Sequence, residues 1–171
     1  MAAGLWGVAA WGLVTAYAPD AFVETWASLV FIPTMLCLVI AMTKLWRGRA
    51  ALDRVEHWLV LAPVSLIAGW CSIAVFVGLN GLIWKTVEPM GWSMTGTALS
   101  VLGLALWFAI YVLRQKALNK IYAVPILWGL GFLALRHLGE VGNIWIGSAA
   151  IIGVLAIALA SFFPAKIRAS L

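Results

Sequence analysis

Apolar positions in this chain fill six long runs separated by short polar connections: A (3–18), B (25–46), C (57–84), D (93–113), E (121–136) and F (144–164). A helix needs about 20 residues to cross the ~30 Å hydrocarbon core of a bilayer. Runs B, C, D and F reach that length, A and E fall short of it, and C exceeds it, which predicts a tilt or a kink. All six are expected to be helical, because lipid offers no partner to an unpaired backbone N–H or C=O.

Composition makes the membrane reading firm. The 171 residues are 65% hydrophobic and 10% charged, with a mean hydropathy of +1.07. A soluble domain of this size cannot hide that much apolar surface. The expected fold is therefore all-α: one polytopic transmembrane helical bundle spanning 1–171, with about six spans, or five if a short run does not cross. Run A ends Ala16-Tyr17-Ala18, which resembles a signal-peptide cleavage site. Pro19 follows directly and no Lys or Arg precedes the run, which weighs against cleavage.

The charges predict an orientation. The B–C connection carries Lys44, Arg47, Arg49 and Arg54, the D–E connection Arg114, Lys116 and Lys120, and the tail Lys166 and Arg168; Lys85 and Arg136 lie on the other side with Asp20, Glu24, Glu88 and Glu140. The positive-inside rule then places both termini in the cytoplasm, as six spans require, and the expected location is the inner (plasma) membrane of a bacterium. The net charge of +5 reads as topology and contact with anionic lipid. Nucleic acid is not an expected partner, since no basic stripe is interleaved with base-reading polar residues.

Candidate chemistry is sparse. Every Asp, Glu, Lys and Arg falls at or near a run end, whereas proton-coupled transport and intramembrane catalysis need ionisable groups at depth. Cys37 and Cys71 lie inside runs B and C and read as small packing residues. His57 opens run C and His137 follows run E on the opposite side, so the two cannot ligate one haem across a ~30 Å core. His137, beside Arg136, is placed at the outer surface, where the pair would meet an anionic ligand. No enzymatic activity is expected and no cofactor is required.

Tryptophan is abundant, with eleven residues. Trp26, Trp46, Trp58, Trp84, Trp92 and Trp145 fit an interfacial belt. Trp70, Trp107 and Trp128 fall well inside runs C, D and E. Their indole N–H groups want partners, and they suit either helix packing or an aromatic-lined pocket for a flat apolar ligand. On a helical projection of run C, Pro63, Trp70, Val77 and Trp84 recur every seven residues, with Ile73 and Asn80 between them and Ala74 one turn beyond Trp70. This mixed stripe is expected to face protein or a cavity, since Asn80 is costly in lipid without a partner. Pro63 is expected to bend the helix, as are Pro33 and Pro125 in B and E. Ala149, Gly153, Ala156 and Ala160 give run F a small-residue face suited to helix association, within the chain or in a homodimer.

Run C, with Pro63-Val64-Ser65-Leu66, Gly69-Trp70 and Ala74, resembles a helix of the tryptophan-rich sensory proteins, the TspO/MBR family that includes the translocator protein or peripheral-type benzodiazepine receptor. Tyr122, Val124, Trp128 and Gly131 resemble a following helix of a longer branch of that family. The likeness covers about half the chain. Val64 stands where the family has an aromatic residue, Gly78 where it has asparagine, and the early Trp-Pro-Pro element is not visible. The resemblance implies a porphyrin, haem or related hydrophobic molecule bound inside the bundle, with Trp70 and Ala74 facing it and Pro63 shaping the helix. Geometry and burial cost add Val77, Asn80, Trp107 and Trp128. The resulting expectation is a sensor or carrier that binds a tetrapyrrole, a lipid or a similar hydrophobic small molecule. The alternative is a structural or assembly subunit packed against a larger membrane complex without a ligand of its own.

Overall fold

The computed structural model describes residues 2–17, 28–115 and 119–162. These residues form six helices, joined by turns and short 3-10 segments, and no strand. They are α1 (Ala2–Tyr17), α2 (Ser28–Arg47), α3 (a continuous helix through Arg54–Glu56, His57–Leu61 and Ala62–Val87), α4 (Met94–Gln115), α5 (Lys120–Gly139) and α6 (Ile144–Phe162). Each apolar run has become one helix. Helices α2 to α6 are long and apolar enough to cross a membrane, so the chain is an all-helical, multi-pass membrane protein. The sixth expected span, α1, has 16 residues and a length of about 24 Å at the α-helical rise, less than a perpendicular crossing requires. Run E gains a turn beyond its expected end and reaches spanning length as Lys120–Gly139.

The start of α3 is set by side chains. Asp53 accepts a hydrogen bond from the Glu56 amide (2.7 Å), and the Asp53 amide donates to the Glu56 carboxylate (3.0 Å). This capping box satisfies two groups that the first turn would otherwise leave open. Residues His57–Leu61 then form a π turn in which the Ala62 amide reaches back to the His57 carbonyl. It directly precedes Pro63, whose ring removes one amide donor and crowds the turn before it. The local irregularity expected of Pro63 thus takes the form of one widened turn. At the other end, the segment Glu88–Met90 closes on Gly91, whose φ of +81° suits a residue without Cβ.

Four helices close into a ring: α3 packs on α4, α4 on α6, α6 on α5, and α5 back on α3. Helix α2 lies on the outside of α3, and α1 packs on α2. The α2–α3 seam is apolar, with Phe31, Met35, Leu38 and Met42 in one buried cluster with Val64, Ala68, Cys71 and Val75. Cys71 is buried there as a packing residue, whereas Cys37 is exposed. Helices α1 and α2 approach closely where Gly4 meets Leu38 and Gly7 meets Thr34.

The α3–α5 seam is different, because it is made of small and hydroxyl-bearing residues. A Cβ at Gly69 would collide with the Tyr122 carbonyl oxygen and with Pro125 Cγ at 2.7 Å. On either side of this contact a buried hydrogen bond crosses the seam. Asn119 Nδ2 donates to Ser65 Oγ (2.8 Å), and the Tyr122 hydroxyl donates to Ser72 Oγ (2.9 Å). Ser65 and Ser72 pass their own protons to the Leu61 and Ala68 carbonyls, so both serines are used twice. Small residues bring the backbones together and hydroxyls hold them, as lipid-embedded packing requires. Tyr122→Phe should therefore lower stability by about 0.6 kcal/mol, the typical size of such a bond in a membrane. Reversible unfolding in mixed micelles measures the difference.

Helix α6 spends its small-residue face within the chain. A Cβ at Gly153 would meet Leu106 of α4 at 2.9 Å and Leu130 of α5 at 3.4 Å, and one at Gly147 would meet Leu138 of α5 at 2.5 Å. Ala150, Ile157 and Ala160 on the same face are buried.

Candidate ligand cavity

The ring is tightly closed at the end where Ser65 and Asn119 meet and open at the other. Pinned together at Gly69, α3 and α5 next touch where Ile73 lies against Gly129. Beyond that point the inward positions of the ring include the small side chains of Ala98 and Ala105 on α4 and Gly129 on α5. The space they leave is a cavity of about 370 Å³ bounded by α3, α4, α5 and α6. That volume exceeds the ~150 Å³ engineered void known to take up benzene and lies in the range of small-molecule sites.

Most of the lining is aliphatic. Ile73, Phe76 and Val77 come from α3, Val101, Leu102 and Leu106 from α4, and Ile126, Leu130 and Leu133 from α5. Toward the α3–α4 and α5–α6 turns the wall becomes polar through Asn80, Thr95, His137 and Asn143. Asn143 Nδ2 donates to Thr95 Oγ1 (3.0 Å), and the Asn143 carboxamide oxygen accepts from the Ile146 amide (3.3 Å), capping α6. Asn80 Oδ1 and His137 Nδ1 are buried and have no hydrogen-bond partner. Among the described residues no Asp, Glu, Lys or Arg lines the cavity. Among the described residues no cluster of His, Cys, Asp or Glu could hold a metal ion.

The structure sorts the sequence-predicted positions into two groups. Val77 and Asn80 line the cavity. Val77 is also 67% exposed, so it forms part of the rim. Pro63, Trp70, Ala74, Trp107 and Trp128 lie outside the cavity lining. Trp70 and Trp128 meet on the outer side of the α3–α5 seam, with ring centroids 5.6 Å apart, and Phe132 continues the row at 4.7 Å from Trp128. They are 46% and 54% exposed, so Ile73, Val77 and Asn80 of the run C stripe line the cavity while Trp70 does not. Trp107 stands on the outer face of α4, stacked on Tyr111 at 5.8 Å. Pro63 is exposed and Ala74 half-buried. The physical reason is that a broad aromatic ring would force α3 and α5 apart, whereas Ser65, Gly69 and Ser72 let them touch. The Trp11 and Trp26 side chains lie outside the described residues, as do Lys116, Lys166 and Arg168.

His137 is the residue that sequence reading misplaced most. Expected at the interface beside Arg136, it lines the cavity while Arg136 is exposed. Its spacing to Ile126, Leu130 and Leu133 along one face of α5 is the signal that links it to the inner wall. No family model matches the chain, and neither a curated protein nor a solved structure matches it.

Proposed function

We propose that this protein binds a hydrophobic small molecule in the cavity of the four-helix ring and acts as its sensor or carrier in the membrane. The observation that carries the reading is the cavity of about 370 Å³ inside the ring, lined mostly by aliphatic side chains and polar at one end through Asn80, Thr95, His137 and Asn143. The TspO/MBR resemblance adds tetrapyrroles as the first class to try. If the basic connections face the cytoplasm, the cavity lies in the outer half of the bilayer.

The test is a titration of the detergent-purified protein with protoporphyrin IX, following quenching of tryptophan fluorescence. The reading predicts saturable binding in the micromolar range. Quenching that grows linearly with added porphyrin reports partition into the micelle and overturns the tetrapyrrole assignment. The second reading, an assembly subunit, is favoured by the row of Trp70, Trp128 and Phe132 on the outer surface. It predicts a stoichiometric partner subunit in mild detergent, lost on Trp128→Ala.

A further inference from the structure

Resting on the cavity reading above, we infer that the cavity opens sideways into the bilayer between α3 and α5 and takes its ligand from the lipid, an acyl chain being the occupant that the membrane itself supplies. The spacing of the two helices along their seam carries the inference. At Gly69 the backbones touch, with no room for a Cβ against Tyr122 and Pro125. One turn on, Ile73 Cδ1 lies 3.4 Å from where a Cβ on Gly129 would stand, so the helices still meet through a side chain. After one further turn, Val77 lines the cavity and is exposed. Val77 stands two turns above Trp70 on the same line of α3, and Trp70 meets Trp128 of α5 at the outer edge of the seam. Val77 therefore points to the α5 side, where a closed seam would bury it. The gap lies at membrane depth. Val77 is eight residues before Lys85, about 12 Å deeper along the helix at the α-helical rise, within a hydrocarbon half-layer of about 15 Å. Its α5 flank is apolar, since exposed Phe132 continues the aromatic row upward from Trp128. Such flanks admit a hydrocarbon chain while the lipid head stays at the interface, where a charge costs little. Met94 and Val141 also line the cavity and are exposed, but they stand at the start of α4 and in the α5–α6 turn, on the water side. A hydrophobic ligand is concentrated in lipid and not in water, so the lateral gap is the opening it meets.

The experiment uses the full chain in lipid nanodiscs containing a phosphatidylcholine with a photoactivatable diazirine at the end of one acyl chain, and labelled residues are assigned by mass spectrometry. The head of this probe holds it in the bilayer. Helix α4 supplies two faces to compare: Val101 and Ala105 are buried and line the cavity, whereas Leu104 and Trp107 are exposed on the outside. The inference predicts labelling at Val101 and Ala105 as well as at Leu104 and Trp107. Val77→Trp fills the gap and is expected to lower labelling of Val101 and Ala105 at least about tenfold relative to Leu104 and Trp107, a difference of about 1.4 kcal/mol in access. Val77→Phe, a smaller plug, acts in the same direction and decides the matter if the tryptophan variant does not fold. Labelling confined to Leu104 and Trp107, or inner labelling that neither plug reduces, overturns the lateral opening. A free phenyl-diazirine probe separates that failure from failure of the cavity itself. Inner labelling by the free probe alone overturns the lateral opening and leaves the cavity reading standing, and inner labelling by neither probe overturns both.

Discussion

Placing a phenyl ring at Ala105 is expected to weaken binding of protoporphyrin IX by at least about tenfold while the protein remains folded. Ala105 is 8% exposed and lines the cavity from α4. A ring added there occupies space that would otherwise hold the ligand, and a tenfold loss corresponds to about 1.4 kcal/mol of forfeited contact. Filling a void restores dispersion contacts that its lining lacked, so thermal stability should be unchanged or raised. Ala98→Phe, one face-turn away on the same wall, should act in the same direction. Trp70→Phe is the informative control. Its ring lies outside the cavity, so affinity should stay within about twofold of wild type, a change of less than 0.5 kcal/mol. Were Trp70→Phe the variant that lost binding, the ligand would sit on the outer aromatic row and not in the ring.

The second large effect is structural. Gly69→Ala should destabilise the protein by at least the ~1–3 kcal/mol typical of overpacking, and Gly69→Leu should fail to yield folded protein. The added Cβ faces the Tyr122 backbone carbonyl and Pro125. Neither can swing aside as a flexible side-chain tip would, so relief requires moving α5 as a body. That movement stretches the Ser65–Asn119 and Ser72–Tyr122 bonds together. Gly81→Ala and Gly103→Ala provide the comparison, because a Cβ at either position meets nothing within 4 Å. Both should be neutral or slightly stabilising, as expected when alanine replaces a helical glycine with room to spare. Thermal denaturation in one detergent, followed by size-exclusion chromatography, ranks the four variants.

The stretch 63–80 shows why the helices were legible in the sequence while their inward faces were not. Span ends came close because lipid length and the charged connections bound each run. Inside a soluble protein, apolar periodicity would then reveal the buried face. In a bilayer both faces are apolar, so that signal is absent and size and hydrogen-bonding capacity replace it. Ser65, Gly69 and Ser72 carry the inward signal of α3, and they mark the side that touches α5. Trp70 looked internal because it is large and lies at depth, yet it is 46% exposed and meets Trp128 at the seam's outer edge. Asn80 was readable from its desolvation cost alone, and it does turn to the cavity. His137 was not, because a histidine at a span end has an adequate explanation at the interface. Only the shared face with Ile126, Leu130 and Leu133 places it inside.

The most direct test of the central claim is native mass spectrometry of the protein released gently from its own membrane, wild type beside Ala105→Phe. The cavity account predicts a bound small molecule of defined mass at one per chain on the wild type, absent or sharply reduced on the variant. Wild-type and variant spectra with identical adducts would contradict it, and would move attention from the ring to the aromatic row on its outer surface.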